Sequence, residues 1–168
     1  MLFVGVHIDI FMFTTPIGNL EIKNKNGIIS SVIFVNENKD KDKDNDENIP
    51  FFIWLDEVKA EFEEYFKGSS EKMEVKGHQS GTKFQKMVWQ EISKIPYGET
   101  RTYGNIAESI NLPKSYRGVA SACGMNRLAI IIPCHRVVGK KDLGGYRWGV
   151  EKKKWLLAFE KSNKSKFP

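Results

Sequence analysis

Cys134, His135 and Arg136 stand side by side in the run Ile130-Ile131-Ile132-Pro133-Cys134-His135-Arg136-Val137-Val138-Gly139. The thiolate is the nucleophilic form of cysteine, and it needs a base or a positive charge close by. The imidazole next in the chain offers a base and the guanidinium a charge, so this stretch could carry nucleophilic transfer chemistry. Adjacency itself is awkward, because neighbouring side chains of an extended chain point to opposite sides. A direct Cys134–His135 hydrogen bond needs a turn, which Pro133 can help to make by fixing φ; otherwise a water must bridge them. A histidine base also needs an orienting group on its other ring nitrogen, and the residues alone do not choose it. The competing reading is a buried structural cysteine, since free cysteine commonly behaves as a small hydrophobe.

The elements that must position these groups follow from the chain in order. Ile130 to Ile132 reads as a strand buried on both faces, a rigid support for the reactive turn. Residues 2–35 read as a β-meander, with a turn at Thr15–Asn19 and a hairpin at Asn26-Gly27. His7, inside the first strand, reads as structural. Residues 36–48 (NENKDKDKDNDEN) cannot bury apolar surface and read as a solvated loop. They lack the glycine of a calcium loop. Pro50 to Lys67 reads as a helix with one broad apolar face, ended by Gly68. Ser69 to Gly81 has little periodicity and reads as a linker. Thr82 and Gln85 fit a capping box ahead of Phe84, Val88, Ile92 and Ile95, which share a helical face. Two short helices, 102–110 and 114–125, flank the break Asn111-Leu112-Pro113 and suggest a helix-turn-helix. The second is rich in small residues, Gly118, Ala120, Ser121 and Gly124 among them. Its surface is expected to approach a nucleic-acid backbone closely, with Arg117 projecting. A Gly- and aromatic-rich loop, Lys140 to Gly149, reads as a mobile wall of a pocket for a flat ligand. A last helix, 150–160, sets Val150, Lys154 and Leu157 near one line, with Trp155, Leu156 and Phe159 broadening the apolar face.

Charge points to the partner. Residues 1–81 hold 9 Lys/Arg and 15 Asp/Glu, net −6, whereas residues 82–168 hold 17 and 6, net +11. A concentrated positive half suggests a polyanion. No apolar run approaches the ~20 residues of a membrane span, and the N-terminus lacks the features of a secretion signal. Cys123 and Cys134 are therefore expected to be reduced thiols in the cytoplasm.

The stretch Pro133-Cys134-His135-Arg136-Val137 resembles the active-site motif of the O6-alkylguanine-DNA alkyltransferases, also called methylated-DNA–protein-cysteine methyltransferases. Pro96-Tyr97-Gly98-Glu99-Thr100, Thr102-Tyr103-Gly104, Arg117-Gly118-Val119-Ala120, Asn126, Gly145-Tyr146-Arg147-Trp148-Gly149 and Trp155 to Glu160 follow in family order and spacing. The resemblance covers residues 80–161. It implies an α/β N-terminal domain, 1–78, with a small ribonuclease H-like antiparallel sheet and a helix. A mainly α C-terminal domain, 79–168, would follow, with a winged-helix-like helix-turn-helix. It further implies single-turnover transfer of the alkyl group from guanine O6 to Cys134 after base flipping, with double-stranded DNA held by its minor groove and the protein monomeric. Under the resemblance His135 is the base through a bridging water, Glu160 orients His135, and Asn126 buttresses the hinge before the active segment. Tyr103 donates to the guanine ring and borders the phosphate. Arg117 enters the base stack, and Gly118, Ala120, Ser121 and Arg136 are counted with it on the DNA face. Gly144, Gly145, Tyr146, Arg147 and Trp148 form the pocket wall. No cofactor is needed, and the chain has too few N-terminal cysteines for the zinc site of some members.

Three other readings compete. A lesion-binding relative would lack the cysteine. A Cys–His hydrolase would want its triad at separate sites and an oxyanion hole, and a plain DNA-binding module would leave Cys134-His135 without a purpose.

Overall fold

The computed structural model describes residues 8–35 and 49–167, and among residues 49–53 the backbone alone. His7 and the charged stretch 36–48 lie outside the described residues. The chain divides into two compact units, Met1–Gln79 and Ser80–Pro168.

The first unit is an antiparallel meander covered by a helix. Strands β1 (Ile8–Thr15), β2 (Gly18–Lys25) and β3 (Ile28–Val35) pair in sequence order. Asn26 and Gly27 take φ of 52° and 80°, the pair of positive values that a type I′ hairpin requires. Phe11, Leu20, Ile22, Ile29, Val32 and Phe34 are buried. Ile29 and Val32 both point inward because the register shifts between Lys23 and Asn24, which leaves Ser30 as an extra residue in β3. Helix α1 (Ile49–Lys67) lays Leu55, Val58, Phe62 and Tyr65 into this core. Gly68, at φ 66°, ends α1, its N–H donating to Tyr65 O and that of Ser69 to Glu64 O. The stretch expected as a linker is held: the Ile29 N–H donates to Lys76 O and the His78 N–H to Ile29 O, so it lies along β3 as a parallel bridge.

The second unit is helical. Helix α2 (Lys83–Ile92) starts with the capping box of Thr82 and Gln85, both of its hydrogen bonds being present. Residues 101–102 form a short strand, β4, that pairs in parallel with β5 (Val137–Val138). Helix α3 (Tyr103–Ser109) carries a second capping box, Thr102 with Asn105, that the sequence reading passes over. Asn111 takes φ 60° directly after α3, and the Leu112 N–H returns to Ala107 O, so the chain stops and turns before Pro113. Helix α4 (Tyr116–Gly124) follows. Val88, Trp89, Ile92, Ile106, Ala107, Ile110, Val119 and Ala122 form the shared core of α2, α3 and α4. Trp89 adds a buried hydrogen bond from its indole N–H to Ala122 O, 2.8 Å. Helix α5 (Val150–Asn163) closes the unit.

The buried side of α5 differs from the expected apolar face. Lys153, Leu156, Glu160 and Asn163 point inward, while Val150 is exposed. Three polar groups in four positions hide the helix from an amphipathicity reading, and each is buried because it finds a polar partner inside. No helix among the described residues is long and apolar enough to cross a membrane.

Candidate active site

The reactive segment is not a strand. Residues 129–131 turn back, and Ile130 takes φ 71°, a region that costs a β-branched residue on the order of 1–3 kcal/mol. Buried Asn126 holds this turn. Its Oδ1 accepts from the Leu128 N–H at 2.9 Å, and its Nδ2 donates to Ile132 O at 2.9 Å and to Cys134 Sγ at 3.2 Å. The isoleucine run has turn partners in place of a neighbouring strand: the Ile131 and Ile132 N–H groups donate to Ala129 O and Leu128 O, and the Asn126 amide takes Ile132 O.

Pro133 leads into a 3-10 turn over Cys134–Arg136. Cys134 is 3% exposed and His135 fully buried. Among the described residues the thiol bonds to Asn126 and not to His135. Nε2 of His135 lies 2.8 Å from Glu160 Oε1. Glu160 also accepts from Arg136 Nε and Nη2, both at 2.9 Å, and from the Gly98 N–H at 3.1 Å. Burial by itself would raise the Glu160 pKa, but His135 and Arg136 outweigh it and hold the carboxyl well below the usual carboxylate range. An ionised carboxylate only accepts, so Nε2 of His135 carries the proton. Burial lowers the His135 pKa against the pull of Glu160, which leaves a neutral ring whose Nδ1 is a lone pair. That Nδ1 is buried and has no protein hydrogen-bond partner. Burial pushes the Cys134 thiol up to about 11, with the Asn126 N–H and the Lys153 ammonium pulling the other way. At neutral pH it is a thiol that must lose its proton to react, and the residue that follows it in the chain carries an unpartnered ring nitrogen.

The sulfur opens on a cavity of about 230 Å³ lined by Tyr103, Ala120, Cys123, Gly124, Cys134, Gly145, Tyr146 and Arg147. Six of the expected site residues line it: Tyr103, Ala120, Cys134, Gly145, Tyr146 and Arg147. Gly144 takes φ 65°, and a Cβ there would fall 2.6 Å from the Tyr103 hydroxyl, so only glycine lets the wall loop close on Tyr103. Tyr146 sets its ring edge-on to His135 and to Trp148, centroids 6.4 and 5.1 Å apart. Arg147 crosses the mouth and donates to Gly124 O at 2.8 Å. On the outward face of α4, Arg117, Ala120, Ser121 and Gly124 are exposed.

Two expected DNA-facing residues point elsewhere. Arg136 is 7% exposed and spends its guanidinium on Glu160 and on Ile95 O, 2.7 Å from Nη1. It positions Glu160, and its burial keeps the guanidinium from presenting itself to a phosphate. Gly118 faces α2: a Cβ there would sit 3.1 Å from the Phe84 ring. Its smallness serves helix packing, not approach to a backbone.

The sequence reading misses Lys153. Its side chain is fully buried, yet Nζ donates to Val137 O at 2.6 Å and Gly145 O at 3.0 Å and lies 5.9 Å from the Tyr103 ring centroid. One ammonium thus ties the pocket wall to the strand after the nucleophile. A lysine flanked by Lys152 and Lys154 reads as solvated surface, and nothing local marks it out. Lys153→Met leaves the buried Val137 carbonyl without this donor, at about 1–3 kcal/mol, whereas the Gly145 carbonyl is only part-buried. We expect urea denaturation to show a loss of about 1–3 kcal/mol, and thiol alkylation to need higher pH because the cation near Cys134 is gone.

Together these features define a protein built around one buried cysteine at a cavity, a buried histidine–carboxylate pair, and a helix, α4, whose exposed face of small residues carries Arg117. The family model described as the DNA binding domain of 6-O-methylguanine DNA methyltransferase matches residues 83–162. A methylated-DNA–protein-cysteine methyltransferase of Methanosarcina mazei is 44% identical over 138 residues, 80% of this chain and 85% of the relative. The crystal structure of Mycobacterium tuberculosis O6-methylguanine methyltransferase is similar with TM-score 0.80, 32% identity and 94% of each chain covered. A Mycobacterium tuberculosis OGT structure in complex with DNA gives TM-score 0.77 and 35% identity over 90% of this chain and 92% of that one. The chain belongs to the methylated-DNA–protein-cysteine methyltransferase family.

Proposed function

We propose that Cys134 removes the alkyl group from O6-alkylguanine in double-stranded DNA and keeps it. The carbon–oxygen bond at guanine O6 breaks as the carbon–sulfur bond to Cys134 Sγ forms. The thiol proton passes to Nδ1 of His135 through a bridging water, and Glu160 stabilises the resulting imidazolium. Tyr103, at the pocket wall, donates its hydroxyl proton to the departing guanine, and the proton taken up by His135 replaces it through solvent, so both residues end neutral. A thioether is not readily hydrolysed, so each molecule acts once, with no cofactor and no metal. The observation that carries this reading is the buried, unpartnered Nδ1 of a neutral His135, the next residue in the chain after a thiol that lines an open cavity.

In this reading the second unit is the DNA-binding and alkyl-accepting domain. Helices α3 and α4 act as a helix-turn-helix of winged-helix type, the α4 face enters the minor groove, and Arg117 fills the stack where the target nucleotide is extruded. The first unit, residues 1–78 with a ribonuclease H-like sheet, and a monomeric, cytoplasmic protein complete it. Extrusion costs a few kcal/mol, and small exposed residues at positions 120, 121 and 124 suit close approach to a groove.

The test is duplex DNA with a radiolabelled methyl at guanine O6. Label should move to protein at one methyl per molecule; label that stays on DNA overturns the proposal. Arg117→Ala should slow transfer on the duplex about 10- to 100-fold, the share of a few kcal/mol that a wedge supplies, and by much less on free alkylated base. Equal losses on both substrates would remove its wedge role.

A further inference from the structure

The outward line of α4 ends in a side chain that alkyl transfer, as described, does not use. Tyr116, the first residue of α4, is 48% exposed. Helical spacing places positions 116, 120 and 124 on one line, and all three are exposed. Ala120 and Gly124 of that line border the Cys134 cavity. The aromatic ring therefore stands at the far end of the same strip, about 6 Å of helix rise from Ala120 at the cavity rim and about 12 Å from Gly124. Helical side chains lean towards the N-terminus, which carries the ring further out along that direction.

Tyr116 also touches Arg117, whose guanidinium carbon lies 5.8 Å from the ring centroid. A cation–π contact at an exposed site is worth about 0.5–1 kcal/mol, enough to bias two long side chains towards one shared pose. The chemistry of the pair suits one occupant. Extruding a nucleotide leaves the flanking bases with a face unstacked; a guanidinium plane can fill the gap, and a phenol ring can stack on an exposed base face. The strip is continuous with the α4 face already assigned to DNA, and the half of the chain that contains it carries a net charge of +11.

We infer that Tyr116 and Arg117 form a two-residue wedge in duplex DNA. The Tyr116 ring packs against the base that borders the extruded nucleotide and holds Arg117 over the gap. The inference rests on the alkyl-transfer reading and extends it to a positioning residue outside the pocket.

The experiment compares the full-length protein with Tyr116→Ala, Tyr116→Phe, Arg117→Ala and the Tyr116→Ala/Arg117→Ala double variant. Two substrates carry O6-methylguanine, a duplex and a single strand, and 2-aminopurine beside the lesion in the duplex reports unstacking by fluorescence. A stacked base is worth about 1–3 kcal/mol, so Tyr116→Ala should slow transfer on the duplex at least ~10-fold and weaken the fluorescence rise. On the single strand the change should stay within ~2-fold, and Tyr116→Phe should restore the duplex rate. In the Arg117→Ala background, Tyr116→Ala should cost measurably less than alone. An unchanged duplex rate, equal losses on both substrates, or a Phe variant as slow as the Ala variant would overturn the wedge. Failure of the parent protein to take up methyl from either substrate would instead overturn the alkyl-transfer reading beneath it.

Discussion

Cys134→Ser is expected to take up no methyl from O6-methylguanine DNA while still binding the duplex. The parent protein should retain one methyl per molecule. The serine hydroxyl fits where the thiol sat and can still meet Asn126 Nδ2, so the fold and the cavity survive. What is lost is the nucleophile: at a pKa of about 11 the thiol is within reach of a histidine base, whereas an alcohol ionises far above it. A gel-shift titration and a filter assay of protein-bound label separate the two effects. Label on the Ser variant, or loss of its DNA binding, would contradict the assignment of Cys134 as acceptor and nothing more.

Glu160→Gln should be the most destabilising conservative change in the second unit. Glu160 is fully buried and gathers N–H groups from His135, Arg136 and Gly98. Glutamine keeps the shape and removes the charge, so the Arg136 guanidinium is left buried without a counter-ion. Breaking one partner of a buried ion pair costs about 3–5 kcal/mol, a large part of the 5–15 kcal/mol typical of a whole protein. The pH dependence follows from the lowered carboxyl. A group with a folded pKa below its unfolded value, ~4.3 for Glu, adds stability that is fully present above the unfolded value and disappears as pH falls through the folded one. The parent should therefore lose stability steadily below about pH 4, and the gap between parent and variant should narrow there, as read by denaturant melts at several pH values. Alkylation should slow at least ~10-fold in the Gln variant as well, because an imidazolium facing an amide is less stabilised than one facing a carboxylate. A variant as stable as the parent at pH 7, or equally fast, would remove Glu160 from the relay.

Local features were legible and long-range ones were not. The Asn26-Gly27 hairpin, the Thr82–Gln85 capping box and the stop at Asn111 depend on residues within a few positions of each other, and all three occur as the local pattern indicates. The isoleucine run misled because β preference expresses packing on a neighbouring strand, and here the neighbour is the Asn126 amide. Arg136 misled because its partner lies 24 positions on; beside a nucleophile an arginine reads as a ligand for phosphate until a buried carboxylate claims it. Gly118 read as a surface contact because its neighbour, Phe84, sits on another helix. Lys153 was invisible for the opposite reason, a charged residue among charged residues whose burial depends on two backbone carbonyls far off in the chain.

By itself the sequence determined the reagents and their order: a cysteine followed by a histidine, a basic second half, two short helices and a glycine-rich wall. Those are properties of residue type and short spacing, which a chain carries whatever its fold. The tertiary structure decided protonation and aim. It brings Glu160 to His135 so that Nδ1 is left without a protein partner, sets Asn126 against Cys134, and turns Arg136 and Lys153 inward as positioning cations. These are matters of distance and desolvation, and a side chain acquires them only when segments remote in sequence exclude water together.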